Sequence, residues 1–289
     1  MSKKLFRGVC TAMVTPFRLD FINYRVFDQL LDYQIRHHVA GVVVCGTTGE
    51  SATLTDGEKL ALIEHTVDYV DGRCLVIAGT GSNCTAHAVA LSQEAETLGA
   101  DALLVVSPYY NKATASGLVA HYTAIADAVS VPVIVYNVPS RTGLDIPVSV
   151  YKELSQHPNI CGVKEASGSI SKIARIRREC GNGFSIWSGN DDMAVPTVAL
   201  GGDGVISVLS NLCPGETVEM MQAALGGDYR KAGKMQCQLM PLIDLLFCEV
   251  NPIPIKAALK QAGFDVGACR LPLTQLSPEH ARVLEKLIL

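Results

Sequence analysis

The sequence predicts a (β/α)8 TIM barrel with a C-terminal helical extension. Short apolar runs rich in Val, Ile and Ala recur along the chain, segments with helical spacing separate them, and the runs stop after about Pro214. Continuous apolar runs, as opposed to alternating ones, indicate parallel strands that are buried on both faces. Eight such strands in alternation with helices are typical of a closed barrel.

The predicted strands share this continuous apolar character. They are Val9–Val14, Gly41–Cys45, Leu75–Ala78, Ala102–Val106, Val131–Tyr136, Ile160–Val163, Phe184–Trp187 and Gly204–Val208. Helical periodicity is found in the intervening segments Tyr24–His38, Asp56–Val70, Ala86–Leu98 and Leu118–Val129. An open, doubly wound sheet is the alternative fold, but such a sheet usually has a glycine-rich phosphate-binding turn after its first strand, and this chain has "MVTPF" there.

The chain divides after residue 213 in this interpretation. Residues 1-213 form the barrel and residues 214-289 the helical extension, because the stretch after Pro214 and the segment from Asn251 onward have helical character. No Pro/Ser-rich linker or low-complexity segment separates the two parts. We therefore expect the extension to pack on the barrel.

Composition narrows the possible functions. The formal net charge is −4, so the chain has no basic surplus with which to bind nucleic acid. No apolar run is long enough to span a bilayer, and Arg7 and a Thr-Pro pair interrupt any signal-like core near the start, so we expect a cytoplasmic protein without a membrane partner. The ten cysteines show neither CxxC pairs nor zinc-type Cys/His clusters, which predicts no metal site and mostly reduced thiols.

Lys164 ends a predicted buried strand, in "NICGVKEASG". Lysine is rarely buried without a partner or a chemical role. The active site of a barrel lies at the carboxyl ends of its strands. An apolar pocket there disfavours the ammonium form and leaves an amine that can form a Schiff base with a carbonyl compound. The alternative is an ion pair with an acid such as Glu165, and Lys164 alone does not decide between the two.

Other strand ends supply groups that suit Schiff-base chemistry. Tyr136 ends the strand expected next to that of Lys164, and its hydroxyl could transfer the protons that carbinolamine dehydration requires. The turn "GTTGE" contains Thr47 and Thr48, whose hydroxyls and backbone N–H groups could hold a small carboxylate or a phosphate, although this is also ordinary turn chemistry. Arg141 could grip a carboxylate with two hydrogen bonds, or it could be a surface arginine.

Taken together, these blocks resemble the dihydrodipicolinate synthase family, the Schiff-base-forming pyruvate lyases related to N-acetylneuraminate lyase. The resemblance runs in order through "GVCTAMVTPF", "GTTGESATL", "IAGTGSN", "SPYYNK", "YNVPSRTG", "GVKEASG", "WSGNDD", "GGDGVISV" and "NPIPIK". It implies a synthase that condenses pyruvate with L-aspartate 4-semialdehyde on the route to diaminopimelate and lysine, without a cofactor. Arg141 stands where the synthases hold the carboxylate of the semialdehyde, and the sialic-acid lyases lack it.

The resemblance also implies roles for individual residues. Lys164 forms the Schiff base with pyruvate, and Thr48 links the hydroxyls of Tyr136 and Tyr110 in a proton relay. Thr47 and Thr48 hold the pyruvate carboxylate. Backbone near Gly189 and Ile206 lines the pocket. Tyr110 comes from the adjoining subunit of a homotetramer built as a pair of tight dimers, so an isolated monomer should be nearly inactive.

A regulatory lysine site is implied at the tight-dimer interface. The matching positions are Ser51, Ala52, Asn83, His87 and Tyr109. Lysine-sensitive members usually have an acidic residue in place of His87 and often a histidine or an aromatic residue in place of Lys59. Because a histidine pairs poorly with the ammonium group of lysine and Lys59 repels it, we predict weak or absent inhibition by lysine.

Two other functions remain open from the sequence. The same Schiff base could serve a 2-keto-3-deoxy sugar-acid aldolase or a sialic-acid lyase, and Arg141 argues against both. A catalytically inert member could act as a small-acid sensor or scaffold. The joint presence of Lys164, Tyr136, Thr48 and Tyr110 argues against an inert protein.

Overall fold

The computed structural model describes residues 4–288 of the chain. Eight parallel strands close into a barrel. Each strand begins and ends within about two residues of the predicted run. The barrel strands are β1 (Gly8–Ala12), β4 (Gly41–Val44), β5 (Leu75–Gly79), β6 (Ala102–Val106), β7 (Val133–Asn137), β8 (Ile160–Glu165), β9 (Ser185–Ser188) and β10 (Gly204–Ser207). β1 pairs with both β4 and β10, which closes the barrel. The predicted (β/α)8 class is confirmed.

A two-stranded antiparallel hairpin that the sequence reading missed lies between β1 and the first helix. It consists of β2 (Phe17–Arg18) and β3 (Phe21–Ile22). Leu19 and Asp20 form its turn with φ values of 48° and 70°. These are the positive angles of a tight hairpin turn, although residues other than leucine usually occupy such positions.

The helices surround the barrel. Their bounds are α1 (Tyr24–Arg36), α2 (Asp56–Val70), α3 (Thr85–Thr97), α4 (Ala115–Asp127), α5 (Pro139–Thr142), α6 (Val148–Leu154), α7 (Ile170–Cys180), α8 (Ala194–Ala199), α9 (Pro214–Leu225), α10 (Tyr229–Leu246), α11 (Ile253–Gln261) and α12 (Pro278–Ile288). Local signals set several of their starts. Thr55 and Glu58 form a capping box at the start of α2, and Pro214 occupies the first turn of α9.

The C-terminal region is helical after Pro214, with one exception. α9 packs against β1 and β10, and α10 packs against α9. Residues 262–277 are not helical, although the sequence reading extended helix from Asn251 onward. The division of the chain after residue 213 stays a prediction, and we note that α9 already contacts the barrel strands.

Two apolar layers hold this architecture. The larger core fills the space between strands and helices, and a smaller one lies inside the barrel. Phe6 stacks on Trp187 with 4.5 Å between ring centroids, and Phe6 precedes β1, so this pair fills the amino-terminal end of the barrel interior. Tyr136 belongs to the same inner layer. Among residues 4–288, the interior is therefore packed at the amino-terminal ends of the strands.

Candidate active site

A cavity of about 500 Å³ lies at the carboxyl ends of the barrel strands. It collects groups from five strand ends and from the link between α10 and α11. Its polar lining includes Thr47, Thr48, Tyr136, Ser140, Arg141, Lys164, Ser167, Asn190, Asp192, Asp244 and Asn251. This is the end of the barrel at which the sequence predicted the site.

Lys164 and Tyr136 face each other in this cavity. They are register partners on β8 and β7, so their side chains leave the two neighbouring strands on the same side. The amine Nζ lies 4.5 Å from the centroid of the Tyr136 ring, and Lys164 is only 5% exposed. Within residues 4–288, no carboxylate lies within 4.0 Å of this amine. The lysine is thus buried next to an aromatic ring without an anionic partner.

Glu165 does not form the ion pair with Lys164 that was the alternative interpretation of the sequence. The next residue on a strand points to the opposite face, and Glu165 is buried there. Its carboxylate accepts hydrogen bonds from Asn137 Nδ2 at 3.0 Å, Tyr151 OH at 3.1 Å and the Ser167 N–H at 2.8 Å. Lys172 Nζ lies 3.9 Å away from the same carboxylate. The side chains of Lys164 and Glu165 therefore lie on opposite faces of β8.

The turn after β4 presents donors to the cavity. Thr48 is buried, and its Oγ1 accepts a hydrogen bond from Asn251 Nδ2 at 3.0 Å. Thr47 lines both this cavity and a second cavity of about 390 Å³ beside it. The backbone N–H groups of Thr47 and Thr48 have no hydrogen-bond acceptor in the described chain. Such free N–H groups next to hydroxyls suit a small carboxylate.

Arg141 lies on the short helix α5 at the mouth of the cavity. One of its Nη atoms donates a hydrogen bond to the carbonyl oxygen of Asn251 at 3.1 Å. This contact leaves the other guanidinium donors free, and the side chain lines both cavities. A planar donor group with unused N–H bonds can bind a carboxylate at two points.

Gly189 and Ile206 differ in how they meet the cavity. A Cβ atom on Gly189 would lie 2.7 Å from Ala166 Cβ and 3.2 Å from Lys164 Cε and Cγ, so only glycine lets the lysine side chain pass. Ile206 is fully buried in the inner layer of the barrel, and Val208 lines the cavity two residues later. The structure thus places Gly189 at the predicted site and Ile206 beneath it.

Tyr110 lies outside its own cavity. It follows β6 on a loop, is 93% exposed and has a φ of 68°. A positive φ is unfavourable for a tyrosine, and an exposed aromatic ring is unfavourable in water. Within one chain the side chain of Tyr110 therefore does not meet Tyr136 or Lys164.

The residues of the implied lysine site are only partly together. Ser51, Ala52, Lys59 and Tyr109 line the second cavity. His87 lies next to it, with Nε2 2.8 Å from Asp56 Oδ2, and Lys59 Nζ lies 3.1 Å from Asp56 Oδ1. These hydrogen bonds, that of His87 first, lower the pKa of Asp56. Asn83 is not part of the lining of the second cavity, and its carbonyl oxygen accepts a hydrogen bond from Asn111 Nδ2 at 2.9 Å.

A buried carboxylate that the sequence reading did not single out supports the floor of the site. Asp191 accepts hydrogen bonds from the N–H groups of Val208 and Leu209 at 3.0 Å each. Burial raises the pKa of Asp191, and the hydroxyl of Ser207, these N–H groups and the charge of Lys164 oppose the rise. The aspartate therefore fixes the end of β10 next to the lysine.

Sequence reasoning also missed Asn251, Asp192 and Asp244. The blocks "WSGNDD" and "NPIPIK" carried the first two, but no pattern in the sequence showed that the link after α10 returns to the cavity. Asp244 lies within the long helix α10, where an isolated acid has no distinguishing signal.

The ten cysteines bear on the site only indirectly. All ten cysteines are free, and burial raises the pKa of Cys45 and of Cys161 to about 12. Thiols of this kind are poor nucleophiles.

Among the described residues, no helix has the length and hydropathy of a membrane span, and no group of three or more His, Cys, Asp or Glu residues is arranged to hold a metal ion.

Comparison with known proteins gives a consistent picture. The model of the dihydrodipicolinate synthetase family matches residues 5–289. The chain is 49% identical over 286 residues to 4-hydroxy-tetrahydrodipicolinate synthase of Caldicellulosiruptor saccharolyticus, covering 99% of this chain and 97% of the relative.

Solved structures agree with this match. The crystal structure of dihydrodipicolinate synthase from Aquifex aeolicus superposes with a TM-score of 0.96 at 42% identity and covers 98% of this chain and 97% of that one. A structure described as the first monomeric dihydrodipicolinate synthase variant has a TM-score of 0.96 at 40% identity and covers 98% of this chain and 95% of that one.

Proposed function

From the premise that this chain belongs to the dihydrodipicolinate synthetase family, we propose that it condenses pyruvate with L-aspartate 4-semialdehyde to 4-hydroxy-tetrahydrodipicolinate. The observation that carries the proposal is Lys164, a buried amine without a carboxylate partner that faces Tyr136 in an open cavity. The relatives' names give the product, and the family resemblance implies the two substrates. The product belongs to the biosynthesis of diaminopimelate and lysine, and we place the enzyme in the cytoplasm.

The first half of the reaction forms a Schiff base. The neutral amine of Lys164 adds to the keto carbon of pyruvate, and water leaves as the iminium forms. The free N–H groups of Thr47 and Thr48 hold the pyruvate carboxylate. The iminium withdraws electrons, so the methyl group of pyruvate loses a proton and an enamine results. Tyr136, at the end of the neighbouring strand, supplies and removes these protons.

The second half joins the two substrates. The enamine carbon attacks the aldehyde carbon of aspartate semialdehyde, whose carboxylate is held by Arg141. The ammonium group of the semialdehyde loses a proton to solvent, and the resulting amine adds to the iminium carbon and displaces the amine of Lys164, which closes the ring and frees the enzyme. Lys164 is 5% exposed and has no carboxylate within 4.0 Å among residues 4–288, so no ion pair engages its amine.

The positions of Thr47 and Thr48 indicate which of the two belongs to the proposed proton relay. Thr48 was predicted for this role, but its hydroxyl already accepts a hydrogen bond from Asn251. Thr47 lines both cavities and has no hydrogen-bond partner for its hydroxyl in the described chain. This arrangement favours Thr47 as the link between Tyr136 and a tyrosine that enters from outside, with Thr48 holding the turn.

The tyrosine from outside is Tyr110 of a second copy. Its exposure and its strained φ support this role, because an ordered neighbour would bury the ring and stabilise the backbone. The proposed assembly is a homotetramer of tight dimers. One similar structure is of a monomeric variant, so the mass of the assembly in solution tests this part of the proposal.

Turnover tests the proposal. Pyruvate consumption by the purified protein should require aspartate semialdehyde and should vanish in Lys164→Ala and fall strongly in Arg141→Ala. If pyruvate forms a reducible adduct on the protein but the semialdehyde is not turned over, the acceptor is wrong and a sugar-acid aldehyde takes its place. If no adduct forms, the inert sensor is the better description.

Inhibition by lysine is expected to be weak or absent. In the second cavity Lys59 adds positive charge, and His87 and Lys59 already occupy both oxygens of Asp56. An incoming ammonium group therefore finds no free carboxylate at these positions and is repelled by Lys59. Initial rates with increasing lysine test this expectation, and strong inhibition at low lysine concentration would contradict it.

A further inference from the structure

Asn251 has an unusual position between the catalytic groups. Its side chain donates to Thr48 Oγ1, and its backbone carbonyl accepts from Arg141. It is only 6% exposed, and its Oδ1 atom receives no hydrogen bond from any group in residues 4–288. Burial of an unsatisfied acceptor is unfavourable, and Asn251 is part of the cavity lining, so a donor that enters the cavity would satisfy this atom.

Two carboxylates line the same cavity. Asp192 follows β9, and Asp244 lies near the end of α10. No basic side chain of the described chain lies within 4.0 Å of either carboxylate. Both acids line one cavity, and the pKa of Asp192 is raised by burial and then by repulsion from the charge of Asp244. A cation between them would relieve this repulsion.

The cavity therefore has two kinds of recognition group beyond Lys164. Arg141 offers donors for an anion, and Asn251 with the two aspartates offers acceptors for a cation. Arg141 donates to the backbone carbonyl of Asn251, so the guanidinium and the residue that carries the buried acceptor are neighbours. A ligand that carries a carboxylate and an ammonium group on one carbon atom matches this adjacency.

We propose that Asn251 Oδ1, with Asp192 and Asp244, forms a subsite for the α-ammonium group of the second substrate. This inference rests on the proposed function, since aspartate semialdehyde is an amino acid whose carboxylate and ammonium group share one carbon. Arg141 binds the carboxylate, and the subsite selects the amino acid against aldehydes that have only the carboxylate. Asn251 is then a substrate-binding residue as well as a positioning residue for Thr48.

The test compares aspartate semialdehyde with succinic semialdehyde, which has the same aldehyde and carboxylate but no amino group. The double variant Asp192→Asn, Asp244→Asn keeps the size of both side chains and removes their charge. We expect the KM for aspartate semialdehyde to rise about fivefold, a modest change because both acids are reached by solvent. The KM for pyruvate and the inhibition constant of succinic semialdehyde should change less than about twofold.

Two further variants complete the design. Asn251→Leu removes the buried acceptor and the contact with Thr48, so both ligands weaken, and aspartate semialdehyde should weaken more than succinic semialdehyde. Asp68→Asn is the matched control, since Asp68 is an exposed acid on α2 away from the cavity, and it should leave all three constants unchanged. Adduct formation with pyruvate on Lys164 shows that each variant is folded.

The outcomes separate this inference from the proposed function. If the wild-type protein turns over aspartate semialdehyde but the variants affect both aldehydes equally, or neither, the ammonium subsite is wrong and the synthase stands. If the wild-type protein does not turn over aspartate semialdehyde at all, the proposed function fails and the subsite fails with it. Selective weakening of the amino-acid substrate supports the subsite.

Discussion

At the scale of single residues, the site depends on close packing around one lysine. Lys164 reaches the cavity only because Gly189 has no side chain at the point where the lysine passes. The aromatic ring of Tyr136 covers the amine from the neighbouring strand. Small changes in this packing should therefore affect chemistry more than stability.

Gly189→Ala tests the packing. The added methyl group would lie 2.7 Å from Ala166 Cβ and 3.2 Å from the lysine side chain, so the lysine must move. We expect kcat to fall about tenfold or more, because small displacements of a reacting group are costly. We also expect the free energy of unfolding to fall by about 1–3 kcal/mol.

The matched control is Gly233→Ala. Gly233 lies inside α10, and a Cβ atom there meets nothing within 4 Å. Because alanine is the better helix former, this variant should be stabilised by up to about 1 kcal/mol with normal kcat. Equal effects of the two substitutions on kcat would contradict the packing account.

At the scale of elements, two ion pairs, one of them buried, tie the C-terminal region to the turn after β4 and the start of α2. Lys256 on α11 is 3% exposed, and its Nζ lies 2.7 Å from Glu50 Oε1 in the turn after β4. Arg270, in the non-helical segment after α11, donates to Glu58 Oε2 at 2.9 Å at the start of α2. The extension therefore holds the turn that contains Thr47 and Thr48.

The pair of Glu58 with Arg270 predicts a dependence of stability on pH. Hydrogen bonds from Arg270 lower the pKa of Glu58 from 4.5 to about 2. A carboxyl group with a lowered pKa in the folded state stabilises the fold above its ordinary pKa, and this contribution is lost as the pH falls from about 4.5 toward about 2. The Glu58 side chain is 27% exposed, which reduces the contribution through solvent screening.

Urea unfolding of Glu58→Gln measures this contribution. Between about pH 6 and about pH 3 the wild-type protein should lose about 1 kcal/mol more stability than the variant. Glu64→Gln is the control, because Glu64 is exposed on the same helix, and it should retain the wild-type dependence. If Glu58→Gln also retains it, the ion pair does not contribute as described.

At the scale of the whole molecule, we propose that a second copy of the chain completes the active site. Tyr110 is almost fully exposed and lies outside its own cavity, whereas Tyr136, Thr47 and Lys164 are together within one chain. An enzyme of this kind has two classes of inactivating substitution, one in each partner of a shared site.

Mixing two inactive variants tests the shared site. Lys164→Ala and Tyr110→Phe should each have little activity alone. After they are mixed and allowed to exchange subunits, sites that combine an intact Lys164 with an intact Tyr110 should appear. Random pairing restores about one quarter of the sites. No recovery, despite exchange shown by mass measurement of mixed assemblies, would contradict donation of Tyr110 between subunits.

Much of the barrel and part of the candidate site could be predicted from the sequence. The strands are continuous apolar runs because both faces are buried, and this signal located all eight to within about two residues at most ends. Lys164 could be identified as a candidate site residue because it is a charged residue directly after such an apolar run. The acceptors Asn251 and Asp244 were missed, since their place in the cavity depends on how α10 and its following link fold back on the barrel, and local patterns do not encode such contacts.

The central claim is that Lys164 forms a Schiff base with pyruvate. Borohydride reduction of the protein with pyruvate, followed by peptide mapping by mass spectrometry, measures this directly. The account predicts one reduced pyruvate adduct, on the peptide that contains Lys164, and none in Lys164→Ala. An adduct on another lysine, or no adduct on the folded wild-type protein, would contradict it.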